Sequence, residues 1–364
     1  MNLQNLPTEL LLQIFRSCDA ISDVIHLASI NRRLRGVFVS SSRLPILMCV
    51  ADTEFGPLHD IVQLVTQNAS QPAHLIREAS VSDSLLKQVV HMGRVAQKWE
   101  AIYPLKKWKT DYENRRLLTD EERFRLRRAL YRLWLYTRAF HTVQYDRYSR
   151  RIRNVVVERA QLLHNWSTEE LAEIEDLRMV VQDVVQNHIC PSNGTIQRKF
   201  HKRFPENTNP LSFNIHLNYP PQRNVVSTEA YFRRFEQRPQ TQESLFHTHH
   251  RPANSSPSSS KMTLASKLRS DFFHDPGQEG WGDEIPHYYI VQDMLKLDPA
   301  QILWLRDHAP LKEHVESFVL SLGSWFRDNG ETFGDTIQWV MTERGEDMGE
   351  LRARLEEREL GIAM

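Results

Sequence analysis

Hydrolytic, redox or group-transfer chemistry needs a nucleophile beside a base, a cage of metal donors, or a glycine-rich backbone that can cradle phosphate. This sequence offers fragments of the first two. Cys190 has His188 two residues away, but a thiol and its base must meet in space, and adjacency along the chain does not place them. His247, His249 and His250 supply three imidazoles in one short stretch. No cysteine or carboxylate accompanies them at ligand spacing, so they read as part of a solvated polar tract. His164 near Trp166 and His308 beside Asp307 are isolated titratable side chains. The sequence contains no G-x-S-x-G, no H-E-x-x-H and no Gly-rich phosphate loop. Cys18, Cys49 and Cys190 are odd in number and widely spaced, which suits neither a disulfide framework nor a metal site. The expectation is a chain with no catalytic residue, no metal and no cofactor.

Phosphate binding is a further chemistry to weigh. Arginines are dense between Arg115 and Arg159, and Tyr131, Trp134, Tyr136 and Tyr145 are interleaved with them. Such a mixture can neutralise a nucleic-acid backbone and stack on bases. Residues 101–160 carry 16 basic against 7 acidic side chains, and residues 275–364 carry 8 against 19. The basic middle and acidic tail are therefore expected to attract each other within one fold. The whole chain balances 46 basic with 46 acidic residues, so no net charge draws it towards a polyanion. Trp134 borders an apolar stripe, and Glu121 and Glu122 can neutralise nearby arginines. Nucleic-acid binding through residues 115–159 is the alternative reading, behind a core helix with a solvated face.

The elements that would position these groups are helices. Hydrophobic residues make up 40% and charged residues 25% of the 364, the balance of a soluble globular chain. Helices are predicted over Thr8–Ser17, Ser22–Ile30, Arg32–Val39, Pro57–Asn68, Asp83–Tyr103, Asp120–Tyr145, Arg150–His164 and from Ser167 to His188. Ser22 is the expected cap of the second, and Pro104 the expected end of the fifth. Thr119 with Glu122, and Ser167 with Glu170, are capping boxes. Leu126, Leu130, Leu133, Thr137 and Phe140 share one helical face. Residues 205–222 read as loop, and Thr228–Gln237 as a short helix. Arg238–Lys261 is polar and rich in proline and serine, a disordered linker by composition. Helical spacing returns over Pro286–Leu297, Pro299–His308, Pro310–Asp328 and Glu331–Thr342. Met348–Glu359 is charged enough to fray. Trp281, Trp304, Trp325 and Trp339 are expected mostly in a core; otherwise, with Asp283, Glu284 and the acidic tail, they would suit a basic target. No stretch approaches 18 uninterrupted apolar residues, and the start lacks a basic segment followed by an apolar run, so cytosol or nucleus is the expected compartment, with no membrane contact.

The N-terminal segment carries the strongest signal. Leu6, Leu10, Leu11, Ile14 and Phe15 give the first helix a broad apolar surface, and Val24, Leu27 and Ile30 extend it. Three helices of about ten residues cannot hide so many large side chains among themselves, and chains below about 40 residues usually need a partner. Burying each such side chain is worth roughly 1.5–3 kcal/mol, so the surface is expected to be covered.

Leu6-Pro7-Thr8-Glu9-Leu10-Leu11-Leu12-Gln13-Ile14-Phe15, followed by Asp23-Val24 and by Ile30-Asn31-Arg32-Arg33-Leu34-Arg35, resembles the two halves of an F-box in order and spacing. This variant is similar to F-box proteins of filamentous fungi, as are the blocks LTDEERFRLRRALYRLWLY, LLHNWSTEELAEIEDL and ICPSNG. The likeness in the F-box itself spans about a tenth of the chain. Cys18 stands where the family favours leucine, Leu34 where it favours an aromatic, and Asp19-Ala20-Ile21 lacks a common proline. The resemblance implies a mainly α protein: an F-box over residues 1–48, then a larger irregular α-helical domain in two parts, 49–237 and 263–364, around a disordered linker at 238–262. It further implies a non-catalytic, substrate-recognition subunit of an SCF-type cullin-RING ubiquitin ligase. Leu6, Pro7, Leu10, Leu11, Ile14, Phe15, Val24, Leu27, Ile30 and Arg33 would contact a Skp-type adaptor, and through it a cullin. The helical domain would hold a protein substrate whose class the sequence does not specify.

Overall fold

A computed structural model of the chain describes residues 6–145, 149–150, 152–191, 195, 291–323, 325–326 and 329–364. The expected loop at 205–222, helix at 228–237, linker at 238–262, the histidines at 247–250, Trp281, Asp283 and Glu284 lie outside the described residues. Within them the fold is mainly helical, and no strand occurs among them.

Helices α1 (Thr8–Arg16), α2 (Ile21–Ser29) and α3 (Arg32–Val39) form a small cluster. Each turns an i, i+4 pair inward: Leu11 and Phe15, Val24 and Ala28, Leu34 and Phe38. The Phe15 and Phe38 rings meet, tilted by 33°, at 5.8 Å between centroids. Ser22 does not cap α2. Its N-cap is Ala20, and the Ile21 N–H is bound instead by the Glu54 carboxylate at 2.8 Å.

Glu54 belongs to α4 (Arg43–Phe55), a helix the sequence reading left out. α4 rests on α1, α2 and α3 and buries Ile46, Leu47, Met48, Val50, Ala51 and Phe55. The expected boundary at residue 48 therefore falls inside a helix. On its other side α4 packs against α6 (Asp83–Lys107). A Cβ on Gly93 would stand 2.3 Å from the Phe55 ring, so the close approach of these helices requires glycine there.

Beyond α4, α7 (Asp120–Phe140) lies against both α5 (Leu58–Thr66) and α9 (Thr168–Val184), which continues into a π turn at Val185–Ile189. Both expected capping boxes are present, at Thr119–Glu122 and Ser167–Glu170. α6 does not stop before Pro104 but runs on to Lys107. Its last turn is held from outside: Lys106 bonds Asp183 and Lys107 bonds Asp176, at 2.5 and 2.7 Å. Tertiary ion pairs thus offset the backbone bond that proline removes.

The C-terminal part comprises α10 (Pro299–His308), α11 (Lys312–Ser321), α12 (Phe333–Glu343) and α13 (Met348–Glu356). α12 packs on α8 (Arg153–His164), α10 on the π turn and α13 on α9. The charged C-terminal helix is not frayed. Met348, Leu351 and Leu355 are buried, as are Leu360, Ile362 and Ala363 beyond it. Asp176 anchors that end, accepting from Tyr103 Oη at 2.6 Å and from the Ile362 N–H at 3.0 Å, while Gly361 turns the chain at φ +106°. The tryptophan expectation is reversed in part: Trp304 and Trp339 are exposed, while Trp99, Trp108, Trp134 and Trp166 fill the core.

Candidate partner-binding face of the N-terminal helices

α4 alters the accounting for the apolar N-terminal surface. Leu11, Phe15 and Val24, expected to contact a partner, are fully buried in the chain's own core. They are structural, because the helix they help seat is in the same polypeptide. Leu6, Ile14 and Leu27 are half-buried, and Pro7, Leu10, Ile30 and Arg33 lie at the surface. The expectation that the chain could not hide this surface holds for one flank of it.

That flank has a definite geometry. Pro7, Leu10 and Ile14 follow one another at three- and four-residue spacing, so they share a side of α1 beside the inward pair Leu11 and Phe15. Arg33, at the start of α3, donates from Nη2 to the Leu6 carbonyl at 2.5 Å. This bond brings Ile30 and Arg33 to the end of α1 that carries Leu6, Pro7 and Leu10. Leu10 is 45% exposed and Ile30 67%. Covering the two would recover about 1–2 kcal/mol each. Arg32 and Arg35 are also exposed on α3, giving the apolar strip a basic edge. Ile25 and Val39, which the sequence reading passed over, are exposed apolar residues on the same module. Only burial, which depends on where α4 lies, separates them from Val24 and Phe38.

The arginine-dense region is differently disposed from a phosphate-binding surface. Arg127 pairs with Glu100, Arg128 with Glu170 and Glu173, and Arg132 with Asp60 and Glu170. Arg116 grips Glu122, and Arg123 and Arg125 pair with Asp120 and Glu121. Tyr131, Trp134 and Tyr136 are buried and so cannot stack on bases. Contact between the basic middle and the acidic tail occurs at Arg150–Asp335, and just beyond the middle at His164–Glu343. The reverse also occurs: Arg352 of the tail binds Glu175, and Arg358 binds Asp111.

The remaining reactive side chains are placed as follows. Burial pushes the Cys190 thiol well above its ordinary range, the opposite of what a nucleophile requires. His188 is exposed, with Nε2 at 2.8 Å from Lys106 Nζ. His164 Nε2 lies 2.9 Å from Glu343, and His308 stacks on Trp304. His141, which the sequence reading did not single out, is buried between α7 and the C-terminal part. Its Nδ1 donates to the Lys296 carbonyl at 3.2 Å. Burial first, and the Lys296 charge second, lower its pKa to about 3. Lys296 itself is fully buried, its ammonium 3.0 Å from Asp293 and bonded to the Asn329 carbonyl. These groups pin the C-terminal part to α7. Among the described residues no cluster of three or more His, Cys, Asp or Glu is placed to hold a metal ion, and no single helix is long and apolar enough to cross a membrane.

No family model, curated protein or solved structure matches this chain.

Proposed function

We propose that the chain is the substrate-recognition subunit of an SCF-type ubiquitin ligase, docking on a Skp-type adaptor, and through it a cullin, by the outer flank of α1–α3. The observation that supports this reading is the exposed strip of Pro7, Leu10 and Ile30 with Arg33, on a module whose opposite side is fixed to its own α4. The strip comprises the residues that the F-box resemblance assigns to the adaptor and that the core leaves unused. Docking would be of the helix-in-groove kind. The subunit acts by proximity in cytosol or nucleus, bringing a bound protein target to a ubiquitin-loaded enzyme without forming or breaking bonds itself. The helical body from α4 onward is the place for that target.

Adaptor co-purification with the full chain tests the proposal. Leu10→Asp combined with Ile30→Asp should abolish capture while leaving the melting temperature unchanged, since both side chains lie at the surface. Undiminished capture by a folded double variant would overturn it.

A further inference from the structure

The C-terminal ends of α5 and α7 meet at a surface cavity of about 200 Å3. Residues 67–73, which follow α5, make one wall; Phe140, Gln144, Tyr145 and Glu158 make much of the rest. Glu158 is the one charged residue lining it among the described residues. Tyr145, part-exposed beside the carboxylate, stands edge to face at 5.5 Å on the buried Phe140 ring. Two helices also end here, and helix C-termini carry partial negative charge. Three guanidiniums nearby are already engaged: Arg77 by Gln67 and the Gln71 carbonyl of the wall itself, Arg138 by the Leu64 carbonyl and Arg159 by the Arg150 carbonyl.

The walls are preformed. Tyr145 Oη donates to Glu158 Oε1 at 2.8 Å, and burial with that bond keeps the phenol protonated. Asn68 Oδ1 accepts from the Ser70 N–H at 2.9 Å and so fixes the loop. Among the described residues a ligand would meet one carboxylate, the Tyr145 ring and neutral amides, in a space the size of a single side chain. From this combination we infer that the cavity binds a cationic side chain, arginine or lysine, presented by another molecule. A carboxylate beside a tyrosine ring attracts a cation both by charge and through the ring, and little ordering opposes it. None of the lining residues belongs to α1–α3, so a ligand here leaves the proposed adaptor face free. Under the ligase reading the cavity is where a target is read; the binding itself does not depend on that reading.

Titration of the full chain with N-acetyl-arginine amide, followed by NMR line positions or calorimetry, tests this. The neutral isostere N-acetyl-citrulline amide should bind at least about tenfold more weakly. Glu158→Gln, which can still accept from Tyr145, should weaken the arginine compound by about tenfold, and Leu10→Asp should leave it unchanged. Equal binding of the citrulline compound, or no saturable binding of the arginine one, would overturn the assignment. Should Glu158→Gln melt earlier than the parent, the comparison of the two compounds on the unaltered chain decides alone.

Discussion

Asp176 shows at a single residue how this chain uses buried charge. Its carboxylate holds Tyr103, Lys107 and the Ile362 N–H, so it ties α6, α9 and the C-terminus together. Removing one partner of a buried pair leaves the other uncompensated, at roughly 3–5 kcal/mol. Asp176→Ala should therefore cost about 3 kcal/mol in chemical denaturation. Gly361→Ala should be costly for a related reason, since its Cβ would stand 2.7 Å from Asp176 Oδ2 at a φ of +106°. His141 gives a pH signature. Folded, it takes up a proton near pH 3; unfolded, near 6.5. Between those values the unfolded chain holds the extra proton, so this residue's contribution falls as pH drops from 6.5 towards 3. Asp60, Glu173 and Asp298 are held above their ordinary values by burial and act in the opposite direction, so the informative comparison is between variants. His141→Asn should flatten the loss of stability between pH 6.5 and 4 relative to the parent; parallel curves would contradict the buried neutral imidazole.

Among the elements, α4 decides what the N-terminal helices can do. It lies under α1–α3, supplies the Glu54 contact to α2 and inserts Phe55 over Gly93. Gly93→Ala forces that ring aside, and overpacking of this kind typically costs 1–3 kcal/mol. The expected drop of about 2 kcal/mol would be read in urea denaturation of the full chain. A fragment of residues 1–48, cut within α4, should show no cooperative unfolding by circular dichroism. The capping boxes of α7 and α9 were legible because their hydrogen bonds are local: Thr119 with Glu122 and Ser167 with Glu170 need no other element. α4 was not legible. LPILMCVADTEF carries apolar residues on several faces, as befits a helix packed on two sides, and so lacks a clear stripe. The run past Pro104 was hidden for a similar reason, since Asp176 and Asp183 that hold it lie some seventy residues away. The same distance effect explains the candidate face. The motif named ten residues, but which of them point outward depends on where α4 lies.

At the scale of the whole molecule, among the described residues, most arginines of α7 are engaged in ion pairs within the chain rather than left as a basic surface. Asp60, Glu170 and Glu173 bind the arginines of α7 that looked available from the sequence. The full chain should accordingly give no salt-dependent shift of RNA or DNA mobility, even at low ionic strength where such binding is strongest. With Arg127, Arg128 and Arg132 paired and the C-terminal residues docked, the exposed apolar strip on α1–α3 is the surface on which the proposed adaptor docking rests. Engagement of a Skp-type adaptor by this strip is measured most directly by calorimetric titration of purified adaptor into the purified 364-residue chain. A saturable one-to-one complex is expected, with affinity reduced at least a hundredfold by Ile30→Asp in a chain that melts like the parent. A folded parent chain that takes up no adaptor, or an affinity indifferent to Ile30→Asp and Leu10→Asp together, would contradict it.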